Sequence, residues 1–318
     1  MRGNCWRAAV PPPFHWGPGL HAPPHRCKDR LGAGAIRPTP EPRRRSWTDQ
    51  SAVFLCENTA EMKGVGVALA ALLLVACGST PSPTSTSTST PDPITGTINV
   101  FAAASLTAAF KDEGTAFQAK HPNANVTFNF AGSAALVTSI NNGAPADVFA
   151  SADQPNMDKV VKAGNATGQP ANFATNKLQI VVGTGNPKGI KGLADLASPG
   201  NVVILCAPQV PCGNYANQAL TKAGVKVTPK SQEQDVNAVV SKVTLGEADA
   251  GIVYVTDVKA AGTKVQGVDI PDEQNVIATY PIATAKGGSN PTGGYAFVDF
   301  LLSSLGQAIL ANYGFSKV

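Results

Sequence analysis

The sequence predicts an α/β fold with mainly parallel sheets over residues 97–318. Two observations carry that prediction. Short apolar runs alternate with amphipathic segments along the whole stretch, the pattern of strands joined by crossover helices. The stretch is also long enough for two small lobes, each with its own core. No internal repeat is visible.

Taken in order, Ile98-Asn99-Val100-Phe101-Ala102 reads as a strand and residues 106–120 as a helix. Strands follow at 126–130 and 147–150, with a helix at 134–141 between them and another at 157–162. Residues 178–182 and 202–205 are strands, and 214–223 and 236–245 are helices. Strands at 252–255 and 276–282 precede two closing helices, 293–302 and 306–313.

Ligands of open α/β sheets bind beyond the carboxyl ends of the strands, so the strand-to-helix junctions carry the functional information. Ala103-Ala104-Ser105-Leu106-Thr107 runs from strand to helix, with Ser105 expected as N-cap. Ser133, after Gly132, takes the same place in Phe130-Ala131-Gly132-Ser133. Pro211-Cys212-Gly213-Asn214-Tyr215 opens a helix with Pro preset for its first turn. Asp235 is the expected N-cap in Gln234-Asp235-Val236-Asn237. Each junction alone is ordinary capping. Several aimed at one point make an anion site without Lys or Arg, because helix N-termini present unpaired N–H groups and partial positive charge.

Composition divides the chain sharply. The formal charge is +4, but all eight Arg and all three Trp lie between Arg2 and Trp47. From Gly78 onward, 15 Lys face 12 Asp and 4 Glu, a net charge of −1. No basic face is available for nucleic acid. Residues 1–61 show no helical or strand period and read as a disordered extension, or as translated sequence upstream of a true start at Met62. Residues 62–77 have the form of a signal peptide: Lys63, an apolar run from Val65 to Ala76 too short to span a bilayer, then Leu74-Val75-Ala76-Cys77-Gly78. That ending resembles the bacterial lipobox, which implies lipidation of Cys77 and anchorage to the outer face of a membrane. Residues 78–95, rich in Ser, Thr and Pro, read as a flexible tether.

Residues 97–318 resemble the molybdate-binding proteins of ABC transporters. The resemblance rests on Val100-Phe101-Ala102-Ala103-Ala104-Ser105-Leu106-Thr107, Gly143-Ala144-Pro145-Ala146-Asp147-Val148-Phe149, Ser151-Ala152-Asp153-Gln154, Gly251-Ile252-Val253-Tyr254 and Tyr313-Gly314-Phe315. It implies the class II periplasmic-binding-protein fold: two α/β lobes joined by a two-strand hinge, the ligand in the cleft. Lobe one is expected at 96–176 and 280–318, lobe two at 177–279, with hinge crossovers near 176–179 and 278–281. It implies Ser105 and Ser133 as hydroxyl and amide donors, Cys212 and Val236 as amide donors, and Tyr254 as a phenol donor. Cys212 departs from the small residue usual there but keeps its N–H. The implied partners are molybdate, and tungstate with it, and the membrane permease of an ABC importer; a monomer without cofactor is expected. A receptor for sulfate or another oxyanion stands as the alternative. An exported serine-type enzyme or an adhesive lipoprotein is disfavoured, since hydroxyl nucleophiles need a base and His121 is the one His after the extension.

Cys206 and Cys212 are the only thiols beyond Cys77, and in an oxidising compartment they are expected to pair rather than stay free. A metal site is not expected with a single His.

Overall fold

The computed structural model describes residues 92–318. The expectations for the extension, the signal peptide, Cys77 and most of the tether lie outside the described residues.

The first sheet starts with β1 (Gly96–Ala103), which pairs in parallel with β2 (Ala124–Ala131) and β3 (Val148–Ala150). β3 and the second half of β1 are buried on both faces, as crossover helices require, while β2 exposes alternate residues at the sheet edge. Val100 and Val148 face the main core, while Phe101 and Phe149 face a second cluster with Leu136, Ile140, Met157 and Val160. Those last four come from α2 (Ser133–Asn141) and α3 (Gln154–Lys162). The opposite face is covered by α1 (Thr107–Lys120) and α7 (Pro291–Leu302), whose Phe110, Phe117 and Phe297 meet edge-on at 5.5–6.1 Å. α8 (Ser304–Asn312) closes the chain beside α1. Glu113 of α1 is fully buried without a hydrogen-bond partner, and burial pushes its carboxyl up to about 9, so it is neutral at pH 7.

The second sheet is built on β5 (Val203–Cys206), parallel to both β6 (Ser231–Glu233) and β7 (Ala250–Tyr254). α4 (Pro211–Lys222), α5 (Val236–Thr244) and α6 (Val255–Ala261) follow β5, β6 and β7 in turn. Two long strands cross between the sheets. β4 (Ala166–Gly183) pairs with β9 (Ile277–Ala285) along its first part, as Asn176↔Ala278 shows. From Leu178 onward it pairs with β7 and with β8 (Val265–Asp269). β9 in turn pairs with β3.

These crossing strands correct the expectation of mainly parallel sheets. Pairings inside each group are parallel, but every pairing of β4 or β9 is antiparallel. The chain must return between the sheets, and short return segments reverse direction. The sequence also predicted only 178–182 of β4. Residues 166–177 contain Gly168 at φ +71 and Pro170, with the register shifting between Thr167 and Ala171, so they read as a turn. They form an edge strand, where a missing N–H and a bulge are tolerated.

Candidate functional site

All five residues expected at the site line one cavity: Ser105, Ser133, Cys212, Val236 and Tyr254. The cavity holds about 20 Å³, on a measure where one water needs roughly 10–15 Å³. It suits one compact ion and is too small for a sugar or an amino acid. A groove of about 800 Å³ beside it shares Ala104 and Ser105, but it is broad and open to solvent.

Each wall is set by local folding. β1 tightens into a 3-10 turn, Ala104–Leu106, before α1 begins. Ser105 is therefore within the turn and does not cap the helix, which corrects the N-cap expectation. Its Oγ lies 2.9 Å from the Tyr280 hydroxyl of β9. Ser133 is likewise no cap: Gly132 holds that place and Ser133 is the first residue of α2. Its Oγ accepts the Ala152 N–H at 3.1 Å, tying α2 to the segment after β3. The Ser133 hydroxyl keeps a proton that this bond does not require.

The facing wall is made of helix starts. Pro211 occupies the first position of α4 and has no N–H, so Cys212 is the first residue of that helix with an amide to offer. Cys212 is joined to Cys206 at the end of β5 by a disulfide, with Cα atoms 5.7 Å apart. The loop so closed lies tightly on α4: a Cβ on Gly213 would come 2.0 Å from the Ala207 carbonyl oxygen. Val236 opens α5, and Asp235 caps it as expected, its carboxylate accepting the Ala238 N–H at 3.0 Å. Tyr254 ends β7 with its hydroxyl fully buried and unpartnered. Burial holds that phenol well above its ordinary pKa, so it carries a proton and acts as a donor.

The walls nearly touch. A Cβ on Gly132 would stand 2.2 Å from the Gln234 carbonyl oxygen, so only glycine lets α2 and the start of α5 approach this closely. Asn237 of α5 donates from Nδ2 to the Ala104 carbonyl at 3.2 Å. No Lys or Arg lines the cavity, and its one carboxylate, Asp235, is engaged at the helix cap. What remains includes three hydroxyls and the amides of the helix starts.

The sequence reading placed Tyr280 and Asn176 only in hinge crossovers and Gln234 and Asn237 only beside Asp235, and gave none of the four a role at the site. For Tyr280 a cue existed, since a tyrosine inside a predicted buried strand must find a partner for its hydroxyl. The others sit in polar stretches without periodicity.

Two sheets bridged by two crossing strands, with a small cavity at facing helix starts, are the features of a solute receptor. The profile described as bacterial extracellular solute-binding protein matches residues 98–316. The molybdate-binding protein ModA of Mycobacterium tuberculosis is 46% identical over 221 residues, covering 70% of this chain and 85% of that protein. ModA of Escherichia coli is 35% identical, covering 70% and 89%. This chain belongs to the ModA family of bacterial extracellular solute-binding proteins. The fold is shared more widely. The Azotobacter vinelandii periplasmic molybdate-binding protein superposes with a TM-score of 0.60 at 22% identity, covering 70% of this chain and 99% of that one. The sulfate-binding protein SubI of Mycobacterium tuberculosis gives 0.63 at 23%, covering 70% and 87%.

Proposed function

We propose that this protein binds molybdate outside the cytoplasm and hands it to the permease of an ABC importer. The observation that carries this reading is a cavity lined by hydroxyls and helix-start amides, with no Lys or Arg and its one carboxylate held in a helix cap. Molybdate is fully deprotonated at neutral pH, so each of its oxygens can only accept hydrogen bonds. Ser105, Ser133 and Tyr254 offer hydroxyls, and Ser133, Cys212 and Val236 offer the free amides of helix starts. The 46% identity to a molybdate-binding relative supports the same assignment. Tungstate, alike in charge and shape, is a second ligand.

In this proposal β4 and β9 are the hinge, near 176–179 and 278–281. Lobe one comprises 96–176 and 280–318, and lobe two comprises 177–279. The anion bridges the two walls, and the closed form is what the permease recognises. Cys77 carries a lipid anchor, residues 78–95 are the tether, Met62 is the start, and the receptor works as a monomer. Catalysis is not part of the reading: the cavity lining has no His, and His121 pairs with Asp92 at 2.8 Å.

Sulfate is the competing reading, since it too is proton-free and SubI shares the fold. A thermal-shift series with molybdate, tungstate, sulfate and phosphate tests both. At 100 times its dissociation constant a ligand stabilises by about 2.7 kcal/mol, roughly 5–10 °C for a domain of this size. A shift with molybdate and tungstate alone is expected. A shift with sulfate alone transfers the assignment to sulfate, and no shift with any anion removes it.

A further inference from the structure

A serine hydroxyl rotates, so it can meet a ligand as donor or as acceptor. At Ser105 the surrounding bonds favour donation. The Lys177 N–H can only donate, and it points at the side-chain oxygen of Asn176 at 2.9 Å. This fixes which end of the Asn176 amide is which. Its NH2 group then donates to Thr256 Oγ1 at 2.8 Å and to the Tyr280 hydroxyl oxygen at 3.4 Å. With that oxygen accepting, the single Tyr280 proton is left for the remaining neighbour, Ser105 Oγ at 2.9 Å. Ser105 therefore accepts from behind, and its own proton is free to face the cavity.

The links behind Ser105 are buried. Tyr280 is 0% exposed, Thr256 2%, Asn176 3% and Ser105 8%. Burial also lifts the Tyr280 phenol well above its ordinary range, which keeps its proton in place. Asn176 and Tyr280 stand on β4 and β9, the strands that cross between the sheets. Neither side chain lines the cavity.

We infer that Asn176 and Tyr280 are positioning residues of a one-way hydrogen-bond chain that presents the Ser105 proton to the cavity, and so turns the site against any oxyanion that keeps a proton. This rests on the proposed anion-binding reading and adds the residues that set its discrimination. A protonated oxygen facing the Ser105 proton would leave two donors head to head and both unpaired, which is costly where water is excluded. Were the chain cut, Ser105 could turn, accept that proton and tolerate the protonated anion.

The test is calorimetric titration at pH 7 of wild-type protein, Tyr280→Phe and Thr256→Val with sodium molybdate and with sodium phosphate, which retains a proton at that pH. Tyr280→Phe keeps the ring but removes the link. It is expected to weaken molybdate about tenfold, equivalent to about 1.4 kcal/mol, while phosphate binding strengthens relative to wild type. Thr256→Val removes only a side branch and should keep the wild-type preference. Unchanged molybdate binding in Tyr280→Phe, or a loss with phosphate no better bound than by wild type, overturns the inference. If Tyr280→Phe does not fold, Asn176→Ala is read by the same criteria. Wild-type protein that ignores molybdate would strike the proposed function, whereas wild-type binding with an unrelaxed Tyr280→Phe strikes only the chain.

Discussion

The two walls of the cavity offer the same chemistry by different means. On the side of the first sheet, Ser105 and Ser133 present hydroxyls whose polarity is set by other groups, Tyr280 for one and the Ala152 N–H for the other. On the side of the second sheet, Cys212 and Val236 present helix-start amides that have no rotor to set. The first wall can therefore be changed by single side-chain substitutions. The second tolerates them, because its donors are backbone, and depends instead on how α4 and α5 are held. Specificity is editable on one side and architectural on the other.

The harshest way to break this comparison is to keep the walls apart. Gly132→Ala suits the local backbone, at φ −58 and ψ 136, but drives a methyl into the Gln234 carbonyl. We expect molybdate affinity to fall about 100-fold, or about 2.7 kcal/mol, within the range over-packing produces. Titration that returns wild-type affinity would mean the close approach at Gly132 is incidental.

Next in size are Ser105→Ala and Ser133→Ala, each removing a donor to a buried anion at a cost of about 1.5–3 kcal/mol. Val236→Ala, on the other wall, should leave affinity nearly unchanged because its amide stays. Equal losses from all three would erase the distinction between the walls.

Tyr254→Phe separates binding from stability. Its hydroxyl is buried with no protein partner, a situation that costs about 1–3 kcal/mol. The variant should therefore melt higher without ligand and bind molybdate about tenfold more weakly. A lower Tm without ligand would show that the hydroxyl has a partner in solution.

A small effect on affinity is also expected from replacing both Cys206 and Cys212 by Ala. Opening the short loop should cost about 2 kcal/mol of stability, read as a drop in Tm. Affinity should change less than about fivefold, since the amide of residue 212 remains. A large affinity loss at constant Tm would make the bridge part of the binding machinery itself.

These contrasts also mark what the sequence disclosed. Most of the strand and helix order from Ile98 to Tyr313 was legible because β1, β2, β5 and β7 are compact apolar runs and α4 and α5 are announced by Pro211 and Asp235, whereas the short β6, α6 and β8 were not read. The residues lining the cavity were legible because they stand at strand ends, where the fold collects them. The role of each serine hydroxyl was not. Capping is a local property and was inferred from local spacing, but Ser105 and Ser133 bond to residues far along the chain, Tyr280 and Ala152. The first half of β4 was hidden for the same reason: its Gly, Pro and Asn residues carry turn signals, and pairing with β9 overrides them.

The place of β9 has a consequence for how the chain reaches this state. β9 lies between β3 and β4 in the first sheet, yet in the chain it follows every strand of the second. The second sheet can assemble from a continuous stretch. The first must wait with one side of β3 unpaired until that stretch has been traversed. Such long-range closure is slow, and an open strand edge is a template for wrong partners. The molecule is therefore most vulnerable to misassembly at Val148–Ala150, and the arrival of Ile277–Ala285 is the step that ends that exposure.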